Sequence, residues 1–266
     1  MTLMDDIAKY NRARWNELVQ ANILYSRPWL DLDPQSARAQ IDSEGILTEV
    51  AGKDVLCLAS GGGQQSAAFA VLGANVTVFD LSDAQLQRDQ ATAAHYRVQV
   101  QAVQGDMRDL SRFGPARFDI VWQAYSINFV PSPLPVFREV ARVLRAGGLY
   151  RLMCHNPFTA GLGEADWNGA SYPLTRPYID EAELRFEDSD WVIEGDDGTS
   201  QRVTGPKEFR HTLSTVVNGL VKQGFMIRGV WEETTDESNP PPGSWEHFKL
   251  IAPPWLTFWA VYRPDV

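Results

Sequence analysis

Three groups of residues in the first half of the chain can do chemistry if one edge of a sheet brings them together. The first is Ser60-Gly61-Gly62-Gly63, directly after the apolar run Asp54-Val-Leu-Cys-Leu58. Glycines let a backbone approach a ligand closely, and the helix that follows offers free N–H groups and a positive dipole end. Taken alone, the turn fits a dinucleotide site or a plain tight crossover. The GxGxxG spacing is incomplete, because Ser66 stands where the third glycine belongs. The second is Asp80, which closes the run Val76-Thr-Val-Phe79. A carboxylate at a strand's end can accept both hydroxyls of an adenosine ribose; its other role would be to cap the next turn, but Ser82 already offers a cap. The third is Gly105-Asp106, after a third apolar run. A carboxylate there can accept a hydrogen from an adenine amino group, a second acid that nicotinamide sites do not routinely need.

These residues need strands to place them. Apolar runs at 54–58, 76–79, 98–103, 118–122 and 149–154 alternate with helical patterns, which predicts a parallel sheet with crossover helices. The connecting helices are expected at 64–72, after the Ser82/Gln85 capping pair, and at 134–144 ahead of Gly147-Gly148. An opening helix spans about 4–20, with Ile7, Tyr10, Trp15, Leu18 and Val19 near one face. A second begins at Asp33-Pro34 and ends near Gly45. Beyond Asn156 the regularity stops. Residues 156–205 are rich in Gly, Pro, acids and aromatics, with a hairpin expected at Asp197-Gly198. Irregular chain of that length in a compact domain suggests a lid or binding insertion, the alternative being an arm that packs on a second subunit in a homodimer. A helix over 206–223 and two strands, 225–232 and 256–262, complete the chain, the strands joined by a Pro-rich connection. The expected fold is therefore α/β: one doubly wound domain over 1–266, with seven strands, N-terminal helices over 1–48 and an insertion at 156–205.

At this point the sequence resembles the class I S-adenosylmethionine-dependent methyltransferases, in the branch of small soluble enzymes similar to the quinone-biosynthesis type. The resemblance runs through Val55-Leu-Cys-Leu-Ala-Ser-Gly-Gly-Gly63, Val78-Phe-Asp-Leu-Ser82, Val103-Gln-Gly-Asp-Met-Arg-Asp-Leu110, Phe118-Asp-Ile-Val121 and Phe137-Arg-Glu-Val-Ala-Arg-Val-Leu-Arg-Ala-Gly-Gly148. It implies an antiparallel last strand and S-adenosylmethionine as the cofactor. Ala59, Gly61 and Gly63 would line its methionine portion. Asp80 would hold the ribose and Leu81 flank the adenine. Gly105, Asp106 and Met107 would hold and cover the base, and Gln123 would sit near the amino-acid moiety. Tyr10 and Trp15 would belong to a helix covering the cofactor, or to one that merely packs on the sheet. One departure stands out: Ala59 occupies a place where many members carry an acid that meets the cofactor's ammonium.

Methyl transfer to O, N or S is an in-line displacement at an activated sulfonium. The protein supplies positioning, and a base when the acceptor carries a proton. The acceptor side is expected beyond the fourth and fifth strands, where Tyr125, Asn128 and His155 stand, with His211 early in the helix after the insertion. Each histidine also has a structural reading. Trp167, Tyr172 and Tyr178 would form an aromatic wall, or a small core of the lid. Two other readings stay open: a nicotinamide-dependent oxidoreductase, and a non-catalytic cofactor-binding module.

The composition narrows the partners. With 24 Lys+Arg against 34 Asp+Glu, the net charge of −10 argues against nucleic acid and anionic membranes. No apolar run reaches the length of a membrane helix, and no secretory signal is visible, so a cytoplasmic protein acting on a small molecule is expected. Cys57 and Cys154 fall inside predicted strands and read as reduced core thiols. No CxxC or HxxxH suggests a metal site.

Overall fold

The computed structural model describes residues 4–184, 190–194 and 200–264. The five apolar runs become β1 (Asp54–Leu58), β2 (Asn75–Asp80), β3 (Val100–Gln104), β4 (Phe118–Gln123) and β5 (Leu144–His155), all parallel where they pair. Side chains alternate across a strand. Leu56 and Leu58 therefore face one hydrophobic layer, while Val55 and Cys57 face the other. Helices cover both faces. α5 (Leu134–Val143) and α6 (Leu213–Lys222) pack Phe137, Val140, Val216 and Leu220 on the first. α2 (Pro34–Ile41), α3 (Gln65–Val71) and α4 (Asp83–Tyr96) pack Ile41, Phe69 and Leu86 on the second.

Two late strands finish the sheet: the strand at Phe225–Glu232 and the strand at Trp255–Tyr262. The final strand inserts antiparallel between Phe225–Glu232 and β5. The seven-stranded order, named by residue, is 225–232, 255–262, β5, β4, β1, β2, β3. This is the doubly wound, mostly parallel sheet with an antiparallel last strand that the sequence predicts. In it, the C-terminal ends of β1, β2, β4 and β5 open on one edge, where a doubly wound sheet binds its ligand.

Several element expectations change. The helix expected to run to the Gly147-Gly148 turn stops at Val143, and β5 already begins at Leu144. Leu144 is extended, Arg145 is pulled to Asp54 and Asp119 (each 2.8 Å), and the pairing with β4 shifts register over this stretch. The helix expected from Pro206 starts only at Leu213, where Thr212 caps it by accepting Thr215 N–H. Between them, Glu208–Phe209 pairs antiparallel with Glu183–Leu184, so extended pairing overrides the helical pattern. The Pro-rich connection leads into an unforeseen helix, Trp245–Ile251, capped by Ser244. In the insertion, Asp190–Glu194 pairs with Ser200–Thr204; the expected turn at Asp197-Gly198 lies outside the described residues. In chain order these short strands are β6 (Glu183–Leu184), β7 (Asp190–Glu194), β8 (Ser200–Thr204) and β9 (Glu208–Phe209), the last two strands of the sheet are β10 and β11, and the late helix is α7.

The opening helix, α1 (Asp6–Gln20), lies across the sheet's edge. It is tied to α4 by Asn16 Oδ1, which accepts from Ser82 Oγ (2.6 Å), and by Arg88, which donates to the Val19 carbonyl (2.6 Å). Asn11 secures its other side: its amide donates to the Phe129 and Lys207 carbonyls (3.0 and 3.1 Å) and accepts from Lys207 N–H (2.8 Å).

Candidate active site

A cavity of about 700 Å³ opens at the C-terminal edge of the sheet, roofed by α1. Its wall includes Ala59 and Gly61 after β1, Asp80 and Leu81 after β2, Gly105, Asp106 and Met107 after β3, Tyr125 after β4 and His155 at the end of β5. α1 contributes Ile7, Ala8, Asn11 and Trp15. Of the residues given a cofactor or acceptor role from the sequence, these ten line the cavity: Trp15, Ala59, Gly61, Asp80, Leu81, Gly105, Asp106, Met107, Tyr125 and His155.

The ribose-type carboxylate is preset. Asp80 Oδ2 accepts Gly61 N–H (3.0 Å) and Oδ1 accepts Ser82 N–H (2.8 Å). Burial raises its pKa to about 6, and the backbone donors only partly offset this. Gly61 has to be glycine: a Cβ there would lie 2.6 Å from Gln85 Cβ and 3.1 Å from Asp80 Oδ2. Asp106 forms a forked ion pair with Arg108 (Nε to Oδ1 3.0 Å, Nη2 to Oδ2 2.5 Å), and Arg108 also reaches Asp5 (2.7 Å). The carboxylate is thus fixed at the cavity wall, with α1's N-terminus clamped beside it.

The glycine turn works differently from the expectation. The Gly62 and Gly63 N–H groups are engaged within the protein: both donate to Asp89 on α4 (3.0 Å each), and Ser66 Oγ donates to the same carboxylate. Gly63 does not line the cavity. Its φ is +76°, and a Cβ would come within 2.1 Å of Thr92 Oγ1, so its role is close packing of the turn on α4. Burial raises Asp89 to about 7, and the nearby Asp80 charge adds to the rise.

Four more of the expected residues lie off the cavity wall. Tyr10 is on the outer side of α1, between Arg14 and Lys207 (5.5 and 5.7 Å from its ring), because the face that meets the cavity runs through residues 7, 8, 11 and 15. Gln123 is fully buried beneath the site: Tyr150 OH donates to its Oε1 (2.5 Å), and its amide donates to Ser126 Oγ (3.0 Å) and Met107 Sδ (3.3 Å). Asn128 is 1% exposed and joins His155 N–H (2.9 Å) to the Phe209 carbonyl (2.9 Å), a structural tie. His211 is buried before α6, with Nε2 2.9 Å from the Val130 carbonyl, and burial lowers its pKa. None of these four lines the cavity.

The end of the cavity beyond β4 and β5 holds a cluster the sequence did not reveal. Glu208 on β9 lines the cavity, accepts the Tyr125 hydroxyl and lies 2.9 Å from His155 Nε2 through the same oxygen, Oε2. The rings of Tyr125 and His155 meet edge to face at 4.9 Å. Burial, reinforced by the Glu208 charge, pushes the Tyr125 phenol well above its usual range. The aromatic wall also differs. Trp167 and Tyr172 pack on His247, and Tyr178 stacks on Phe158 (5.1 Å), away from the cavity. The wall is formed instead by Phe129, Trp245 and Trp255. No described residue of 156–205 lines the cavity; the insertion supports it from behind, through β6, which pairs with the strand carrying Glu208, and through Val203 on β8, which packs with Leu18 and cavity-lining Trp15.

Comparison with known proteins gives the family. A family model described as a methyltransferase domain matches residues 56–152. The chain is 33% identical over 188 residues to the uncharacterized methyltransferase YbaJ of Bacillus subtilis, covering 69% of this chain and 70% of that protein. The chain belongs to the class I S-adenosylmethionine-dependent methyltransferases. It is also 36% identical over 122 residues to a ubiquinone biosynthesis O-methyltransferase of Pseudomonas syringae, 46% of this chain and 51% of that one, so it spans about half of that relative. Among solved structures, an S-adenosylmethionine-dependent methyltransferase from Mesorhizobium loti aligns with TM-score 0.59 at 20% identity, over 88% of this chain and 100% of that one. A geranyl diphosphate C-methyltransferase from Streptomyces coelicolor aligns with TM-score 0.62 at 13% identity, over 98% and 99%. These two likenesses are of fold.

Residues of the cavity wall and its support that the sequence did not single out include Asp89, Glu208, Glu233, Trp245 and Trp255. Asp89 carries a weak signal, the one acid of α4 beyond its first turn, amid Gln, Arg and Ala. Glu208 carries none, because the extended pairing that aims it depends on β6.

Proposed function

We propose that this methyltransferase moves the methyl group of S-adenosylmethionine to a small organic acceptor bound beside Tyr125, His155 and Glu208. The observation that carries the reading is a single cavity joining two ends of different chemistry: Gly61, Asp80 and Asp106 at one, the Tyr125–Glu208–His155 cluster at the other. The residues fit the cofactor. Asp80 would accept the ribose hydroxyls, Asp106 and Met107 would meet the adenine with Leu81 and Gly105 beside it, and Ala59, Gly61 and Trp15 would border the methionine portion. Gln85 supports this fit, since its buried Oε1 has no partner within the protein and its side chain lines the cavity. A buried acceptor oxygen left unmet is costly, so a ligand donor belongs there.

When bound, the cofactor supplies the electrophilic methyl group. The chain's own residues hold the acceptor in line, exclude water and receive a proton. Proton removal falls to the His155–Glu208 pair, in which the carboxylate steadies the charge the imidazole gains. The insertion acts on this site through β6, by holding Glu208. The net charge of −10 and the cavity's carboxylates support a small-molecule acceptor over nucleic acid. We assign the chain to the cytoplasm: no described helix is long and apolar enough to cross a membrane, and both cysteines are free and buried.

Titration calorimetry tests the reading. S-adenosylhomocysteine is expected to bind and NADH is not. Asp80→Ala is expected to weaken S-adenosylhomocysteine by about 2 to 3 kcal/mol, the loss of hydrogen bonds to a charged group, while circular dichroism stays unchanged. Saturable NADH binding without a response to S-adenosylhomocysteine refutes it.

A further inference from the structure

The acceptor end of the cavity is assembled from segments that the cofactor end does not use. Trp255 opens β11 opposite His155 on β5, with its ring 6.2 Å from Tyr125 and 5.5 Å from Trp245 on α7. Glu233, just past β10, donates its N–H to the Trp255 carbonyl (3.1 Å), which places it beside the same strand end. Tyr25, more than half exposed, lines the cavity from the N-terminal segment, and its phenol is pushed up by partial burial and by the Glu233 charge. Glu208 joins this end through its bond with Tyr125. Aromatic rings and two carboxylates thus share one chamber.

Positive charge is scarce there. Arg108 is the one Lys or Arg in the described lining, and it is held by Asp106 and Asp5 at the cofactor end. Lys249 pairs with Glu246 (3.0 Å); its charge reaches Glu233, but it does not line the cavity. A carboxylate or phosphate acceptor would face two carboxylates with no Lys or Arg lining that end to balance it. A neutral hydroxyl would gain hydrogen bonds alone. An ammonium gains both from the carboxylates and from the faces of the Trp and Tyr rings.

We infer that the acceptor is an amine, held as its ammonium among Trp245, Trp255, Tyr125 and Glu233, and methylated on nitrogen. The inference rests on the methyltransferase reading above. His155 takes one proton from the ammonium, with Glu208 balancing the imidazolium charge. The freed nitrogen lone pair forms the N–C bond while the methyl–sulfur bond breaks, its electron pair remaining on sulfur. The products are the N-methylated ammonium, S-adenosylhomocysteine and the proton carried by His155.

The test uses three probes on one scaffold: phenethylamine, phenethyl alcohol and phenylpropionate. Each is titrated into the protein saturated with S-adenosylhomocysteine, then assayed for label transfer from methyl-labelled S-adenosylmethionine. The amine is expected to bind about tenfold or more tighter than either of the others, the scale of a cation against rings and carboxylate. It is also expected to be the probe that takes up label. In Glu233→Gln the amine preference is expected to fall to within a few-fold, with S-adenosylhomocysteine affinity kept. Equal or better binding of the alcohol or the carboxylate overturns the inference, as does an amine preference that survives Glu233→Gln. A Glu233→Gln variant that loses S-adenosylmethionine but keeps the amine overturns it too, and assigns the carboxylate to the sulfonium. Failure of S-adenosylhomocysteine to bind at all refutes instead the reading on which the inference stands.

Discussion

Replacing Asp89 with asparagine tests how the glycine turn is held, and the expected result changes sign with pH. In the native protein the carboxylate accepts Gly62 and Gly63 N–H (3.0 Å each) and Ser66 Oγ. An amide retains one oxygen, which can serve Gly63 and Ser66, but turns its NH2 toward the Gly62 N–H. Two donors then face each other, and the loss is about 1 to 3 kcal/mol. Against this stands the burial of the charge. The native pKa is raised from 3.8 to about 7, so the folded state favours the protonated acid. With a raised native pKa, the stability from this group is complete below the unfolded value and is lost as pH climbs through the native one. A rise of that size corresponds to roughly 4 kcal/mol, lost between about pH 4 and 7. The amide of Asp89→Asn does not titrate and has no such dependence. The variant is therefore expected to be less stable than wild type by about 1 to 3 kcal/mol near pH 4, and to match or exceed it by about pH 8. Urea unfolding at several pH values across that range measures both, as the midpoint times the slope. A stability difference that stays constant with pH refutes the reasoning, since it would mean that Asp89 titrates as an ordinary carboxylate in the folded protein.

Three other outcomes follow from the same geometry. Ribose hydroxyls would prefer ionised Asp80, whose native pKa is about 6, so S-adenosylhomocysteine affinity is expected to rise as pH climbs through 6; calorimetry in two buffers of different ionisation enthalpy should report proton release, and a pH-independent affinity contradicts it. Gly63→Ala places a Cβ 2.1 Å from Thr92 Oγ1 at φ +76°, so a loss of about 3 kcal/mol or more is expected from overpacking and left-handed strain together, read by denaturant titration. Glu208→Gln keeps the shape but removes the charge that balances His155; single-turnover transfer is expected to slow by about 100-fold, the low end of acid–base contributions, with S-adenosylhomocysteine affinity unchanged, and unaltered transfer removes Glu208 from the proton path.

Much of the cofactor end was legible in the sequence because its signals are local. An apolar strand followed by Ser60–Gly63, Asp80 closing β2 and Gly105-Asp106 closing β3 each sit within a few residues of the strand that presents them. Once the pattern calls for a parallel sheet, every strand's end falls on one edge, and Gly61, Asp80 and Asp106 meet there whatever the helices do. The antiparallel last strand was not readable from periodicity, which carries no direction; it came through the family resemblance. The resemblance implies Tyr10 and Gln123 beside the cofactor, and chain position after β4 and before α6 suggests Asn128 and His211 beside the acceptor. Sequence proximity does not say where a side chain points, and a turn of helix or one step along a strand aims it elsewhere. Gln123, next to cavity-lining Trp122 and Ala124, is turned inward to Tyr150 and Ser126.

The acceptor end belongs to the tertiary structure. Tyr125, His155, Glu208, Glu233 and Trp255 come from four strand ends and a β-bridge spread over 131 positions, from 125 to 255. No local pattern marks Glu208, since its backbone is set by pairing with Glu183–Leu184 and its carboxylate by a tyrosine 83 residues away. Asp89 shows the same limit from inside the regular fold: a polar residue on a helix reads as solvent-facing until packing puts a glycine turn against it. Periodicity specifies which residues must be buried together, and thus the sheet. Which polar groups then meet across the assembled edge depends on contacts between distant segments, and those contacts are what bring Tyr125, His155 and Glu208 together.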